Sequence, residues 1–393
     1  MLELIGRDKP LFTSDIERTD NLIKSLVNKA SFLIIGGGGS IGQAVVKQIF
    51  KRDPKILHVV DISENNLVEL VRDIRSDLGY CRGDFKTFCL DCGGIEFESL
   101  LNKGETYDYI FNLSALKHVR SEKDPYTLMR LIKTNILNTV SVLDTVKNKN
   151  LKNYFCVSTD KASNPVNLMG ASKRIMEKFL MRESVHQRVS MARFANVAFS
   201  DGSLLHGFNQ RILKKQPITA PKDVRRYFIT PKESGELCIF SGLLGDNRDI
   251  FFPKMSDALN LEHFSDIAER FLYSVGYKPF RCDDEAEARE RASTLISQGQ
   301  WPVFFFNSDT TGEKDFEEFY TASEKVDLHR FNDIGIVKNN LSYLDDDLDN
   351  FEVLLGNMLR TGSWEKNELI ELFYQLVPEF SHKETGKYLD GRM

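Results

Sequence analysis

No run of apolar residues in this chain approaches the ~20 needed to cross a bilayer as a helix. Residues 1–30 are charged throughout and lack the apolar centre and small-residue cleavage site of a secretory leader. These absences lead to the expectation of a soluble, cytoplasmic protein. Positive charge is not in surplus: 52 Lys and Arg stand against 57 Asp and Glu, for a net charge of -5. The basic residues are scattered among acids, so there is no field to attract nucleic acid, and none is expected as a partner. Cysteine is sparse, with six residues. Cys89 and Cys92 have a two-residue gap, but one pair cannot fill a zinc site, so reduced structural thiols and no metal are expected. The seven histidines show no helical metal-ligand spacing either. What is present is an ordinary globular composition, 41% hydrophobic and 28% charged over 393 residues, enough for one large layered core or two domains.

The chain is organised around Ser158 to Arg174. Tyr154-Phe155-Cys156-Val157 reads as a short buried strand, and Ser163-Asn164-Pro165 breaks the pattern before helix-forming residues resume. Between them Thr159, Asp160 and Lys161 crowd hydroxyl, acid and amine at the strand's carboxyl end. Met169 and Lys173 lie four apart on the following helix, one turn from each other on a face that can look back at the three. Acid, base and hydroxyl groups crowded at a strand's carboxyl end read as an active site.

Upstream, Ser31 to Ile35 is a buried strand running into Gly36-Gly37-Gly38-Gly39-Ser40-Ile41-Gly42, with a helix expected from near Gln43. Glycines there permit a tight turn, let a pyrophosphate approach the backbone, and pack the helix on the strand. Gly37, Gly39 and Gly42 fit one dinucleotide spacing. A second strand, Ile56 to Val60, ends at Asp61, nineteen residues after Gly42, where a ribose-binding acid belongs. A carboxylate there accepts ribose hydroxyls and repels a phosphate, which favours NAD over NADP. Ser40, Ile41 and Ser63 join the candidate cofactor residues. Strands alternating with helices from 31 to 200 predict an α/β, doubly wound parallel sheet with ligands beyond the strands' carboxyl ends.

Ser-Thr-Asp-Lys-Ala at 158–162, Asn-Pro at 164–165 and Met-Gly-Ala-Ser-Lys-Arg at 169–174 together resemble the nucleotide-sugar 4,6-dehydratases of the extended short-chain dehydrogenase superfamily. The closest likeness is to UDP-N-acetylglucosamine 4,6-dehydratases of bacterial polysaccharide synthesis, in a branch with Met where most of the superfamily has Tyr four residues before the Lys. Gly36, Gly39 and Gly42 match that family's spacing as well, so spacing alone does not choose between the two glycine readings. The resemblance implies a Rossmann domain, bound NAD and a UDP-sugar substrate. It places Asp91 and Cys92 against the adenine, makes room for the cofactor at Ser114 and Ala115, and puts Asn135 at the family's helix asparagine. Lys117, Asn196, Ser203, Arg226 and Glu313 become candidates for the substrate, Arg226 for its diphosphate. Thr310 stands where the family has a second arginine. Asp160 is implied as acid to the carbon 6 hydroxyl and Lys161 as base at carbon 5. Met169 cannot move a proton, so Thr159 would position the carbon 4 hydroxyl and Lys173, or Asp160 through a water, would take its proton. His118 is read as a packed surface histidine.

Four segments are expected: a helical arm at 1–30, with a helix from about Ser14 to Ala30; a Rossmann domain at 31–200; a substrate lobe at 201–330 with possible return strands to the sheet; and a helical extension at 331–393. Asp124-Pro125 should cap one long helix through about Lys147. An acidic helix from Asp283 to Gln298 and a strand at 301–306 fall in the lobe. The family likeness fades from Asp327 onward. The acidic run 344–349 reads as a solvated loop, and Trp364 to Val377 reads as a helix. A homo-oligomer is expected. The competing functions are a nucleotide-sugar 4-epimerase, which would have no use for adjacent acid and base, and an inactive NAD-sensing module.

Overall fold

The computed structural model describes residues 1–255, 259–314, 316, 318–339, 345–388 and 391. After helix α1 (Thr13–Asn28), the chain alternates strictly: β1 (Ser31–Ile35), α2 (Ser40–Phe50), β2 (Ile56–Asp61), α3 (Glu64–Asp77), β3 (Asp84–Cys89), α4 (Ile95–Lys103) and β4 (Tyr109–Asn112). Helices α5 (Pro125–Ile132) and α6 (Asn138–Val146) lead to β5 (Asn153–Thr159), then α7 (Leu168–Glu183) and β6 (Val189–Phe194). Next come β7 (Asn196–Val197), α8 (Leu204–Leu213), β8 (Ile218–Pro221), β9 (Arg225–Ile229), α9 (Pro231–Leu244) and β10 (Ile250–Pro253). The lobe continues with β11 (Leu261–His263), α10 (Phe264–Ser274), β12 (Lys278–Arg281), α11 (Glu285–Ser297) and β13 (Gln300–Phe306). Strands β14 (Lys325–Asp327) and β15 (Ile334–Lys338) and helices α12 (Asp345–Thr361) and α13 (Lys366–Leu376) complete it.

The main sheet has nine strands in the order β14-β15-β10-β6-β5-β4-β1-β2-β3. The run from β3 to β10 is parallel, and β15 and β14 add antiparallel at one edge. This is a doubly wound sheet whose order reverses between β1 and β4, the place where ligands bind in such folds. Parallel strands covered on both faces must be apolar throughout, and β1 is buried at all five positions. A second core under the lobe includes Phe208, Phe228, Phe271 and Trp301, beneath two small three-stranded sheets, β11-β9-β7 and β12-β13-β8.

Several expectations change. The glycine-loop helix starts at Ser40 rather than near Gln43, because Gly39 takes the extended N-cap conformation. The helix expected from Asp124 to Lys147 is divided by a π turn at Lys133–Leu137. Residues 334–338 are a strand of the main sheet, so the helical extension occupies 345–376. Leu344 lies outside the described residues, but the acids after it open α12 instead of forming a loop. Carboxylates at a helix amino end are favoured by its dipole, and Leu348 and Phe351 bury the opposite face. Among the described residues, no helix is long and apolar enough to cross a membrane.

The N-terminal arm is bolted on by charge. Arg7 pairs with Glu233, which also accepts from Leu11 N at 2.7 Å and closes the Thr230–Glu233 capping box of α9. Arg7 also donates to Phe228 O at 3.3 Å, tying the arm to the strand that carries Arg226.

Candidate active site

The glycine loop joins β1 to α2 and shows which glycines are obligatory. Gly36 has φ +75°, and a Cβ on it would stand 2.7 Å from Ser114 N. A Cβ on Gly42 would strike Gly36 O at 2.2 Å, so Gly42 lets the helix pack on the turn, whereas a Cβ on Gly39 would meet nothing closer than 3.6 Å. Gly39 is thus the open face of the loop. As N-cap it offers no side-chain acceptor to the first turn, which holds Ser40, Ile41 and Gly42. Uncapped N–H groups at a helix amino end, with room above them, suit a diphosphate.

Asp61 ends β2 beside this loop. Its carboxylate accepts from Gly38 N and Ser63 N, each at 2.9 Å, which aims it at the glycine turn while leaving lone pairs for ribose hydroxyls. Ser63 itself is the N-cap of α3, its hydroxyl accepting from Asn66 N at 3.3 Å. Exposed Asp91 accepts from Gly93 N at 2.9 Å. Cys92 is buried, 3.8 Å from the Ser114 hydroxyl, and burial raises its thiol pKa. Cys89 is exposed, and all six thiols are free. Ser114 donates to Asn112 Oδ1 at 2.7 Å, and Asn112 in turn donates to Tyr154 OH at 2.9 Å. The polar character of the β4 end therefore serves a buried network behind Ser114 and Ala115.

Asn135 lies on the π turn, a distortion common at functional sites. It accepts from Leu116 N at 2.9 Å and donates to Leu116 O and the Ser172 hydroxyl, both at 3.0 Å. It clamps the loop after β4 to α7. Lys117, next in that loop, reaches Ser200 Oγ at 3.4 Å. Solvent reaches Lys117 and His118, yet protein surrounds both, a cleft position in which desolvation lowers both pKa values.

At the end of β5 the central cluster is compact. Asp160 is 2% exposed and its Oδ1 accepts from Thr159 Oγ1 at 2.8 Å, Lys161 N at 2.9 Å and Lys161 Nζ at 3.3 Å. The pair sits on a single 3-10 turn, Asp160–Ala162. Lys173 projects from α7 beneath it, fully buried, with Nζ donating to Val157 O at 3.0 Å; desolvation lowers its pKa. Lys161 thus pairs with the carboxyl of Asp160, while Lys173 is turned to a strand carbonyl. Met169 is 4% exposed in the first turn of α7. Asn167 caps that helix, accepting from Gly170 N at 2.8 Å.

The lobe faces this cluster. Arg226 on β9 is buried and pairs with Glu313, and its Nη1 also donates to Lys314 O at 3.0 Å. Thr310, at the position of the absent arginine, donates to Glu313 Oε2 at 3.1 Å. Asn196 Nδ2 is a buried donor with no partner among the described residues, beside the strand of Arg226. Ser203 is the N-cap of α8, accepting from His206 N at 3.1 Å. Its hydroxyl is therefore committed to the helix.

Sequence reasoning missed Glu122, His382 and Arg193, which hold this geometry. Glu122, wholly buried, accepts from Leu168 N at 2.9 Å and Met169 N at 3.4 Å, and from His382 Nε2 at 3.0 Å. Arg193, also wholly buried, joins Glu177, Glu324 and Ser163 beside the 3-10 turn that carries Asp160 and Lys161. No local pattern announces contacts between residues 122 and 382.

The largely parallel nine-stranded sheet with its glycine loop is a Rossmann-like α/β fold of the short-chain dehydrogenase type. The chain belongs to the polysaccharide biosynthesis protein family, whose model matches residues 32–339. That match carries the likeness past Asp327, where it was expected to end, since β14 and β15 belong to the main sheet. An uncharacterized membrane protein of Methanocaldococcus jannaschii is 29% identical over 80% of this chain and 87% of its own length. The UDP-N-acetylglucosamine 4,6-dehydratase (inverting) of Campylobacter jejuni is 25% identical over 82% of this chain and 94% of its own. A UDP-glucose 4-epimerase of Rickettsia massiliae is 29% identical over 57% of this chain and 66% of its own. Among solved structures, Pen from Bacillus thuringiensis superposes with TM-score 0.64 at 21% identity, covering 84% of this chain and 98% of that one. WbmF from Bordetella bronchiseptica, in complex with NAD+, gives 0.52 at 17% identity over 64% of this chain and 80% of that one.

Proposed function

We propose that the chain is a NAD-dependent nucleotide-sugar 4,6-dehydratase that converts UDP-N-acetylglucosamine to a 4-keto-6-deoxy sugar with retention at carbon 5, for surface polysaccharide synthesis. The observation that carries this reading is the Asp160–Lys161 pair, 3.3 Å apart at the carboxyl end of a central strand. Gly36, Gly39, Ser40, Ile41 and Gly42 would hold the cofactor's pyrophosphate, and Asp61 its adenosine ribose. Asp91, Cys92, Ser114 and Ala115 would flank the dinucleotide. Bound there, it supplies the transient oxidation of carbon 4 that acidifies the proton on carbon 5.

The rest is the chain's own chemistry. Elimination starts with Lys161 neutral and Asp160 protonated. Lys161 takes the carbon 5 proton, Asp160 gives its proton to the departing carbon 6 hydroxyl, and water leaves. The pair is then an ammonium beside a carboxylate, the ionised arrangement that the observed contact suits. Lys161 would return its proton to carbon 5 as carbon 6 is reduced, and Asp160 would regain one from the carbon 4 hydroxyl of the next substrate, which restores the neutral pair. Thr159, already bonded to Asp160, can orient the carbon 4 hydroxyl. Its proton would pass to Asp160 through a water, since the Lys173 ammonium is engaged with Val157 O. Lys117, Asn196 and Arg226 would line the sugar nucleotide, the unpartnered Asn196 donor awaiting a ligand oxygen.

The test is incubation with UDP-N-acetylglucosamine, without added cofactor, followed by NMR. A 4-keto-6-deoxy product supports the proposal. A 4-epimer selects the epimerase that the Rickettsia relative also suggests, and unchanged substrate selects a binding module. We further propose that the enzyme works in the cytoplasm as a homo-oligomer, which light scattering of the purified protein checks.

A further inference from the structure

The C-terminal segment 381–388 is extended, and of its residues only His382 and Tyr388 are even partly withdrawn from solvent. What orders it is hydrogen bonding to two loops of the site. On one side Ser381 N and Lys383 N donate to Pro165 O and Val166 O, each at 3.0 Å, in the loop between Lys161 and α7. On the other, Gly312 N and Thr311 N donate to Lys383 O and Lys387 O, each at 2.8 Å, next to Glu313. Thr385 adds a hydroxyl contact to Thr311 at 3.2 Å and donates to Asp309 O at 2.9 Å. Within this span the His382 side chain, 6% exposed, turns inward. Its Nε2 meets Glu122 Oε2 at 3.0 Å, while Glu122 Oε1 holds the backbone N–H groups of Leu168 and Met169.

We infer that residues 381–388 are a clasp joining the catalytic helix to the substrate loop, with His382 a positioning residue that acts through Glu122 on the first turn of α7. A carboxylate at a helix amino end stabilises that turn only where it is held, and the imidazole is what holds the far oxygen of Glu122. The carbonyls of Lys383 and Lys387 set Thr311 and Gly312, and thereby where Glu313 stands against Arg226. Because the segment buries little apolar surface, its effect falls on geometry rather than on global stability. This rests on the proposed roles of Asp160, Lys161 and Arg226.

The experiment uses the full chain and the variants His382→Ala, His382→Gln and Thr385→Val. Hydrogen exchange in peptides covering 163–170 and 309–314 reads the clasp without reference to any reaction. His382→Ala should speed exchange at Leu168 and Met169 and lower kcat about tenfold with KM nearly unchanged, the scale of a small misplacement of catalytic groups. His382→Gln, whose amide can donate to Glu122, should restore most of both. Thr385→Val should instead speed exchange at 309–314 and raise KM. Unchanged exchange in His382→Ala overturns the clasp, as does a loss that falls equally in the Gln variant and lowers the melting temperature. If the wild-type protein does not turn over UDP-N-acetylglucosamine, the functional reading fails and the exchange data alone judge the clasp.

Discussion

At the scale of single residues, Asp160 collects three donors on one oxygen while Lys161 keeps its amine within reach of the same atom. Asp160→Asn preserves the shape but cannot give up a proton as a carboxylic acid does. It should retain cofactor and substrate while losing about 10²–10⁴ in kcat, measured by single-turnover NMR; a fully active variant would remove Asp160 from the mechanism. Met169 makes the opposite case. It is buried against the site and aprotic, so Met169→Leu, of nearly equal volume, should keep kcat within about threefold, since such swaps cost little. A large loss of turnover with binding intact would show that the sulfur takes part.

At the scale of elements, α2 and α9 pack together behind the glycine loop, and Glu236 of α9 is buried there. Burial raises its carboxyl from the ordinary 4.5 to about 7, with Lys232 and Lys51 only partly offsetting it. A raised folded-state value means the unfolded chain loses this proton first. Below pH 4.5 the group costs nothing, and stability then falls as pH rises until about 7. The loss is on the order of 3 kcal/mol from the 1.36 kcal/mol that each pH unit represents. Glu236→Gln should therefore gain on wild type between pH 5 and pH 8 in urea melts. A constant difference across that range would contradict the assignment.

At the scale of the molecule, one buried network ties three distant parts together. Arg193 of β6 pairs with Glu177 of α7 and with Glu324 before β14, and donates to Phe319 O at 2.9 Å. Glu324 is held at about pKa 2 mainly against the desolvation that would raise it, by hydrogen bonds and charge from Arg193 and by Arg174. Its depressed value gives stability that is complete above 4.5 and is lost as pH falls toward about 2. Arg193→Met would leave two buried carboxylates with Arg174 as their shared cation and should destabilise the protein by about 3 kcal/mol, read as a shift in urea midpoint at pH 7. At pH 3 the difference from wild type should shrink as the carboxylates take up protons.

The sequence by itself was enough for the sheet and the central cluster, because both rest on short-range chemistry. Apolar runs such as Ser31 to Ile35 can only be buried strands, a glycine loop between strand and helix can only be a tight turn, and Thr159, Asp160, Lys161, Met169 and Lys173 fall within fifteen residues. Tertiary structure decided what depends on which distant segments meet. The π turn carries Asn135 to its bonds with Leu116 and Ser172, and the acids at 345–349 lie in a helix whose Leu348 and Phe351 are buried. Likewise the partners of Arg193 and of Glu122 come from segments up to 260 positions away, and such contacts leave no periodicity to read. Side-chain charge is legible in order along a chain, but which charge neutralises which is settled only when the backbone brings them within hydrogen-bonding distance.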